Sequence, residues 1–412
     1  MSLDQTPQSE RVHIGIYGRR NAGKSSLLNA LTGQALAVVS EVAGTTTDPV
    51  RKSMEILPIG PVVMIDTPGL DDVGEIGLAR VTQAKKCLME TDIAMLVVDA
   101  TKGLKEPEKD TIALFLEKKI PFITVYNKCD LIDEAGKETL ATTYAQYCKE
   151  QLQQEEVIPY VFVSAGKKEG VSALLTALEA LWRASRNPDE KPLVKDLVKE
   201  GDHVILVIPI DEAAPKGRII LPQQQVLREL LEIGAVTSVA TPGQLEHALE
   251  MATLPPRLVI TDSQAFGYVN QIVPKEIDLT SFSILMARRK GNFEDALAGV
   301  SALGNISDDS SILICEGCSH KRQCGDIGTV KLPGWIRKYT KANPQMTWTQ
   351  GKEFPDDLSG YDLIVHCGGC MLNAKEMSAR YEKAKAAGIP MTNYGMVIAK
   401  THGILDRTTF IF

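Results

Sequence analysis

Gly18-Arg-Arg-Asn-Ala-Gly-Lys-Ser25 is a GxxxxGK(S/T) run set between an apolar stretch and a helix-forming one. Its glycines let backbone N–H groups wrap phosphates, and the helix N-terminus that follows adds a favourable dipole. Lys24 would reach the β- and γ-phosphates, and the Ser25 hydroxyl would ligate magnesium. Gly18, Asn21, Ala22, Gly23 and Ser26 complete the expected phosphate-binding set. Asp66-Thr-Pro-Gly69 follows an apolar strand, which places Asp66 to hold magnesium through water and Gly69 to sense the γ-phosphate. Asn127-Lys128-Cys129-Asp130 follows another strand. A carboxylate there accepts hydrogen bonds from guanine N1 and the exocyclic amine, a donor pair adenine lacks, so the expected nucleotide is GTP. Ser164, Ala165 and Gly166 follow the last strand of this region and would offer a backbone N–H to the guanine oxygen.

A second chemistry is carried by cysteine. Of eight cysteines, Cys87, Cys129 and Cys148 are scattered, whereas Cys315, Cys318, Cys324, Cys367 and Cys370 gather in the last quarter. In a reducing compartment such a cluster reads as metal binding before disulfides. Cys315-Glu-Gly-Cys318-Ser-His320 and His366-Cys367-Gly-Gly-Cys370 each follow a short apolar strand, and ligand sites of open parallel sheets lie at the carboxyl ends of strands. Thiolates suit zinc or an iron–sulfur cluster. The gap between the CxxC pairs is wider than the roughly 15–20 residues of zinc ribbons, which favours iron–sulfur. A zinc site of Cys315, Cys318, Cys367 and Cys370 stays open, with Cys315 and Cys324 otherwise ordinary thiols. His320 and His366 are candidates for a fourth ligand or for hydrogen bonding to the site. The basic run Arg288-Arg289-Lys290 reads as a solvated element end that could also dock an acidic partner.

These residues need a scaffold, and the pattern supplies one. Strands are expected at Arg11–Tyr17, Val62–Ile65, Ile93–Val98, Phe122–Tyr126 and Tyr160–Val163, with helices at Gly23–Leu31 and Gly170–Ser185. Strands alternating with helices mean a parallel sheet covered on both faces. The charged, proline-bearing segment Arg186–Pro192 reads as a linker. Beyond it, His203–Ile210, Arg257–Asp262 and Phe282–Ala287 read as strands and Gln223–Ile233 as a helix. The helix Asn292–Leu303, the strands Ser311–Ile314 and Tyr361–Val365, and the helix Asn373–Ala387 follow. The fold class is therefore α/β: a P-loop domain with a parallel sheet over 1–188, then two smaller α/β domains over 193–285 and 286–412.

Composition sets bounds. A chain of 412 residues exceeds one ordinary core. With 44% hydrophobic and 24% charged residues it is of globular composition. No apolar run approaches the roughly 20 residues that span a bilayer, and the polar start does not resemble a signal peptide, so a cytoplasmic location with no membrane contact is expected. A net charge of −7 argues against broad nucleic-acid binding.

The N-terminal part resembles the tRNA-modification group of translation-factor-like GTPases, through Asn21 in the P-loop, Gly44-Thr-Thr-Thr-Asp48 and DTPG followed by Leu70. The resemblance implies slow GTP hydrolysis, with Thr46 on magnesium and Asn21 helping to bind an activating potassium ion. Lys24, Thr46 and Gly69 are the catalytic candidates. Leu70 stands where Ras-like proteins carry a water-orienting Gln. Gly74, with Glu75 beside it, stands where relatives place a catalytic Glu. Taken with Cys318-Ser-His320 and His366-Cys367-Gly-Gly-Cys370, the whole chain resembles the HydF family, the GTPases that mature FeFe-hydrogenases. That resemblance implies a 4Fe–4S cluster on Cys318, Cys367 and Cys370, and a diiron precursor cluster as cargo. It also implies a dimerising middle region within a homodimer or larger homo-oligomer. The implied partners are apo FeFe-hydrogenase and radical-SAM maturation enzymes. The rival reading is an RNA-modification GTPase with a structural zinc module.

Overall fold

The computed structural model describes residues 7–33, 38–42, 49–68, 87–154, 156–185, 191–210, 219–317 and 326–412. The chain divides into two compact units, Met1–Pro188 and Asp189–Phe412. Thr46, Gly69, Leu70, Gly74, Glu75, Cys318, His320 and Cys324 lie outside the described residues.

In the first unit the strands are β1 (Val12–Tyr17), β2 (Val38–Val42), β3 (Val50–Ile56), β4 (Gly60–Asp66), β5 (Ile93–Asp99), β6 (Phe122–Asn127) and β7 (Tyr160–Val163). They form one sheet in the order β2-β3-β4-β1-β5-β6-β7. From β4 to β7 neighbours run parallel. The expectation of a parallel sheet needs one correction: β3 runs antiparallel to β4, and β2 antiparallel to β3. Only three residues join β3 to β4, enough for a hairpin and far too few for a parallel crossover. Val-Arg-Lys-Ser-Met-Glu-Ile of β3 is too polar to read as a buried strand.

Side chains of β5 show how the sheet is covered. Ile93, Met95 and Val97 join one core cluster and Ala94, Leu96 and Val98 another. Strict alternation between two buried faces is what a sheet with helices on both sides requires. The chain leaves β1 toward β4 and returns to its other side at β5. This makes the carboxyl end of β1 a switch point, where ligands of open α/β sheets bind.

The second unit holds two four-stranded sheets. One contains β8 (His203–Val207), β9 (Val236–Ala240), β10 (Leu258–Thr261) and β11 (Asp278–Ser281), in the order β11-β10-β8-β9. The other contains β12 (Ser311–Glu316), β13 (Gln345–Gln350), β14 (Leu363–His366) and β15 (Met391–Asn393), in the order β13-β12-β14-β15. Every pairing in both is parallel. Ile205 and Val259 of the first sheet share a core cluster with Ile312 and Val365 of the second.

Phe282–Ala287 is not a strand. A helix runs from Phe282 to Arg289, with the Ser281 hydroxyl accepting from Ile284 N–H at 3.3 Å as its N-cap. Phe282, Ile284, Leu285, Met286 and Ala287 are all buried, so this nearly continuous apolar run gives no clear helical period to distinguish it from a buried strand. The helix expected at Asn292–Leu303 is split into an α segment, Phe293–Gly299, and a 3-10 segment, Val300–Asn305.

Candidate functional site: a phosphate loop and a cysteine loop

The GxxxxGKS run joins β1 to the helix Lys24–Thr32. Gly23 has φ 95°, and a Cβ on it would run into the Asn127 amide, so both backbone and neighbour demand glycine. Lys24 Nζ donates to Gly18 O at 2.8 Å and Arg19 O at 2.9 Å, within its own loop. Arg19 in turn is paired with the fully buried Glu108 of the helix Glu106–Glu117. Asn21 has φ 61° and is exposed, and Ala22 beneath it is buried.

Asp66 ends β4 beside this loop. The Ser25 hydroxyl donates to Asp66 Oδ2 at 2.7 Å. Burial raises the Asp66 carboxyl, against the opposing pull of Ser25 and Lys24. Asp66 Oδ1 is buried with no hydrogen-bond partner among the described residues. An orphaned carboxylate oxygen next to a hydroxyl is a hard-oxygen donor pair that fits magnesium.

The base-reading side is held by Asn127. Its Nδ2 donates to Ala22 O at 3.0 Å and its Oδ1 accepts from Ala165 N–H at 3.1 Å, so one buried amide staples the phosphate loop to the Ser164–Gly166 loop. Lys128, with φ 63°, donates to Asn21 O at 2.8 Å and Asp99 Oδ2 at 2.7 Å. The Asp99 anchor was not legible in advance, although its place at the end of an apolar strand is a usable signal. Asp130 is partly buried. Hydrogen bonding from Ser164, aided by Lys167 at 3.7 Å, holds its carboxyl below the usual range. It is thus an acceptor-only group at neutral pH, suited to a pair of N–H donors.

In the second unit, Cys367-Gly-Gly-Cys370 follows β14. Cys367 N–H donates to Cys315 O at 2.8 Å, extending the β12 pairing into the loop. Cys367 Sγ accepts from Gly317 N–H at 3.0 Å and Gly369 N–H at 3.3 Å. Gly317 also packs against Gly369, where a Cβ on Gly317 would lie 3.4 Å from the Gly369 Cα. The two cysteine loops therefore meet at Gly317, and the next residue in the chain is Cys318. Gly369 has φ 61°, and a Cβ there would lie 2.6 Å from Met377 Sδ. A sulfur that accepts backbone N–H bonds inside a glycine-built loop fits a thiolate-held iron–sulfur cluster. Among the described residues, no group of three or more His, Cys, Asp or Glu is placed to hold a metal ion.

The remaining candidates turn inward. His366 is fully buried; its Nε2 meets Arg380 Nη1 at 2.9 Å and its Nδ1 meets Cys367 O at 2.8 Å. Arginine has no acceptor, so Nε2 takes its hydrogen bond and the ring proton sits on Nδ1. Burial and the Arg380 charge hold the imidazole neutral, lowering it to about 3. Both ring nitrogens are thereby occupied, which points to bracing of Cys367 instead of ligation. Arg380 also donates to Gly351 O and Glu376 Oε1, each at 2.9 Å. Cys315 lies within β12, and burial pushes its thiol up to about 12. The basic run is not a solvated end: Arg288 and Lys290 are each 8% exposed. Arg288 binds Asp196 and Pro192 O, and Lys290 donates to Gly369 O and Leu372 O.

Among the described residues, no helix is long and apolar enough to cross a membrane. A family model described as "50S ribosome-binding GTPase" matches residues 13–128. The chain is 34% identical over 183 residues to GTPase Der of Kosmotoga olearia, covering 43% of this chain and 40% of that one. It is 34% identical over 182 residues to the tRNA modification GTPase MnmE of Nitrosomonas europaea, covering 43% and 36%. It thus spans less than half the length of these curated relatives. A solved structure of Era from Aquifex aeolicus is similar at 22% identity and a TM-score of 0.34, over 56% of this chain and 93% of that one. In the second half, the hydrogen maturase F dimerization domain matches residues 193–291 and the tetramerization domain matches residues 294–410. With these two domains in succession behind a GTPase domain, the chain belongs to the hydrogen maturase F family.

Proposed function

We propose that the chain is a GTP hydrolase and iron–sulfur scaffold that assembles the diiron precursor of the FeFe-hydrogenase active site and delivers it to the apo-hydrogenase. The observation that carries this reading is the meeting of the two cysteine loops at Gly317, within a half of the chain that matches hydrogen maturase F domains. The same matches, a dimerization domain over 193–291 and a tetramerization domain over 294–410, support a homo-oligomer, and the proposed cluster ligands lie in the second of these. The rival reading, an RNA-modification GTPase with a zinc module, is not favoured, because the matches to the second half are to hydrogenase maturation.

In the first unit, Lys24 and the loop N–H groups neutralise the β- and γ-phosphates, Ser25 and Asp66 hold magnesium, and Asp130 selects guanine. Magnesium, when bound, offsets the phosphate charge that develops during hydrolysis. Thr46 is assigned to the same magnesium, Gly69 to the γ-phosphate, and exposed Asn21 to a potassium ion. In the second unit, Cys318, Cys367 and Cys370 supply three thiolates. These three cysteines would hold a 4Fe–4S cluster and would leave one ligand position to a group other than cysteine, which is the chemistry needed to accept and release a precursor. His366 braces Cys367, leaving His320 or an external ligand for that position.

Anaerobic reconstitution with ferrous iron and sulfide, followed by iron, sulfide and zinc analysis, tests the scaffold. Near four irons and four sulfides per chain are expected, as is hydrolysis faster in potassium than in sodium. Lys24→Ala should abolish hydrolysis while iron content stays near wild type. Bound zinc without sulfide would refute the scaffold.

A further inference from the structure

Lys290 stands at the end of the helix Phe282–Arg289 and is buried, yet its ammonium is spent on a loop 79 positions further along the chain. Two of its acceptors, Gly369 O and Leu372 O, flank Cys370 on either side, with Leu372 O at 2.6 Å. One cation therefore pins both shoulders of the turn that presents Cys370. Gly291, at φ 76°, reverses the chain directly afterwards and ends the helix with Lys290 facing the loop.

The choice of a lysine here is costly. Removing an ammonium from water carries a large penalty even after relaxation, and two carbonyls could be bridged by a neutral amide instead. A fixed positive charge is useful where negative charge collects, as it does when three thiolates gather around a cluster. Cluster potentials depend on net charge and on hydrogen bonding at the sulfurs. A nearby cation stabilises the reduced, more negative form.

We propose that Lys290 is a positioning residue for the iron–sulfur site: it clamps the Cys367–Cys370 turn in its ligand-presenting shape and raises the reduction potential of the cluster held there. The inference rests on the scaffold reading. It separates two roles of one side chain, geometric and electrostatic, which different substitutions remove. Lys290→Gln keeps donors for the carbonyls and loses the charge. Lys290→Met loses both. Lys290→Arg keeps the charge.

The test uses the full chain, reconstituted anaerobically with ferrous iron and sulfide, read by iron and sulfide content and by a redox titration followed by electron paramagnetic resonance. Lys290→Met should lose at least half of the wild-type iron. Lys290→Gln should hold iron within twofold of wild type but titrate at a more negative potential, and Lys290→Arg should return the potential toward the wild-type value. Lys290→Gln provides the answer even where Lys290→Met does not fold. Wild-type iron and an unshifted potential in Lys290→Gln would overturn the inference while leaving the scaffold reading intact. A wild-type chain that takes up no iron and sulfide would overturn the scaffold reading itself, and the inference with it.

Discussion

Asn127→Ala probes the nucleotide half of the chain most directly. The Asn127 side chain is 2% exposed and makes two hydrogen bonds, to Ala22 O and from Ala165 N–H. Truncation leaves one buried carbonyl and one buried N–H without their partner, and each costs about 1–3 kcal/mol. Water entering the vacated volume relieves part of this, so about 2–4 kcal/mol is expected. The loss divides between stability and binding, because the amide ties the phosphate loop to the loop after β7 and so preorganises both ends of the nucleotide. If half appears in binding, GTP affinity falls by about five- to thirtyfold, since 1.4 kcal/mol is tenfold. The assay is a titration with a fluorescent GTP analogue, paired with urea unfolding followed by probes of the first unit. A variant within about 0.5 kcal/mol of wild type in stability and within twofold in affinity would refute the staple.

Two further outcomes follow from the second unit. Gly369→Ala should fold but lose most of its iron after anaerobic reconstitution, because alanine is strained at φ 61° and its Cβ meets Met377 Sδ; iron content at the wild-type level would show that the turn is not held as described. Asp196 titrates low because the Arg288 guanidinium outweighs the opposing effect of burial. The pair's stabilisation is therefore present above the ordinary carboxylate range and lost as pH falls through about 4 and below. Asp196 is 43% exposed, so solvent screening leaves at most about 1 kcal/mol. Asp196→Asn should flatten the acid limb of stability between about pH 5 and pH 3 by that amount, and an unchanged slope in urea-unfolding curves would remove the pair from the account.

The amino-acid sequence by itself determined the chemistry that depends on short, contiguous runs. A phosphate loop needs glycines, a lysine and a hydroxyl at fixed spacing between a strand and a helix, and all of these lie within eight residues. Asp66, Asn127 and Ser164 were legible for the same reason, as each directly follows an apolar strand. The cysteine pairs raised the expectation of a metal site, because thiols clustered in sequence have few other uses. Tertiary structure decided everything that depends on remote partners. Phe282–Arg289 is helical, yet its nearly continuous apolar run gives no clear period from which a helix is read. Lys290 and Arg288 looked like solvated charges, since nothing local shows that Gly369 and Asp196 arrive beside them. For His366 the sequence left ligation and hydrogen bonding both open, and only Arg380 and the Cys367 carbonyl, by taking both ring nitrogens, decide for the second. A buried polar group is defined by the partners that satisfy it, and here those partners come from distant parts of the chain that only folding brings together.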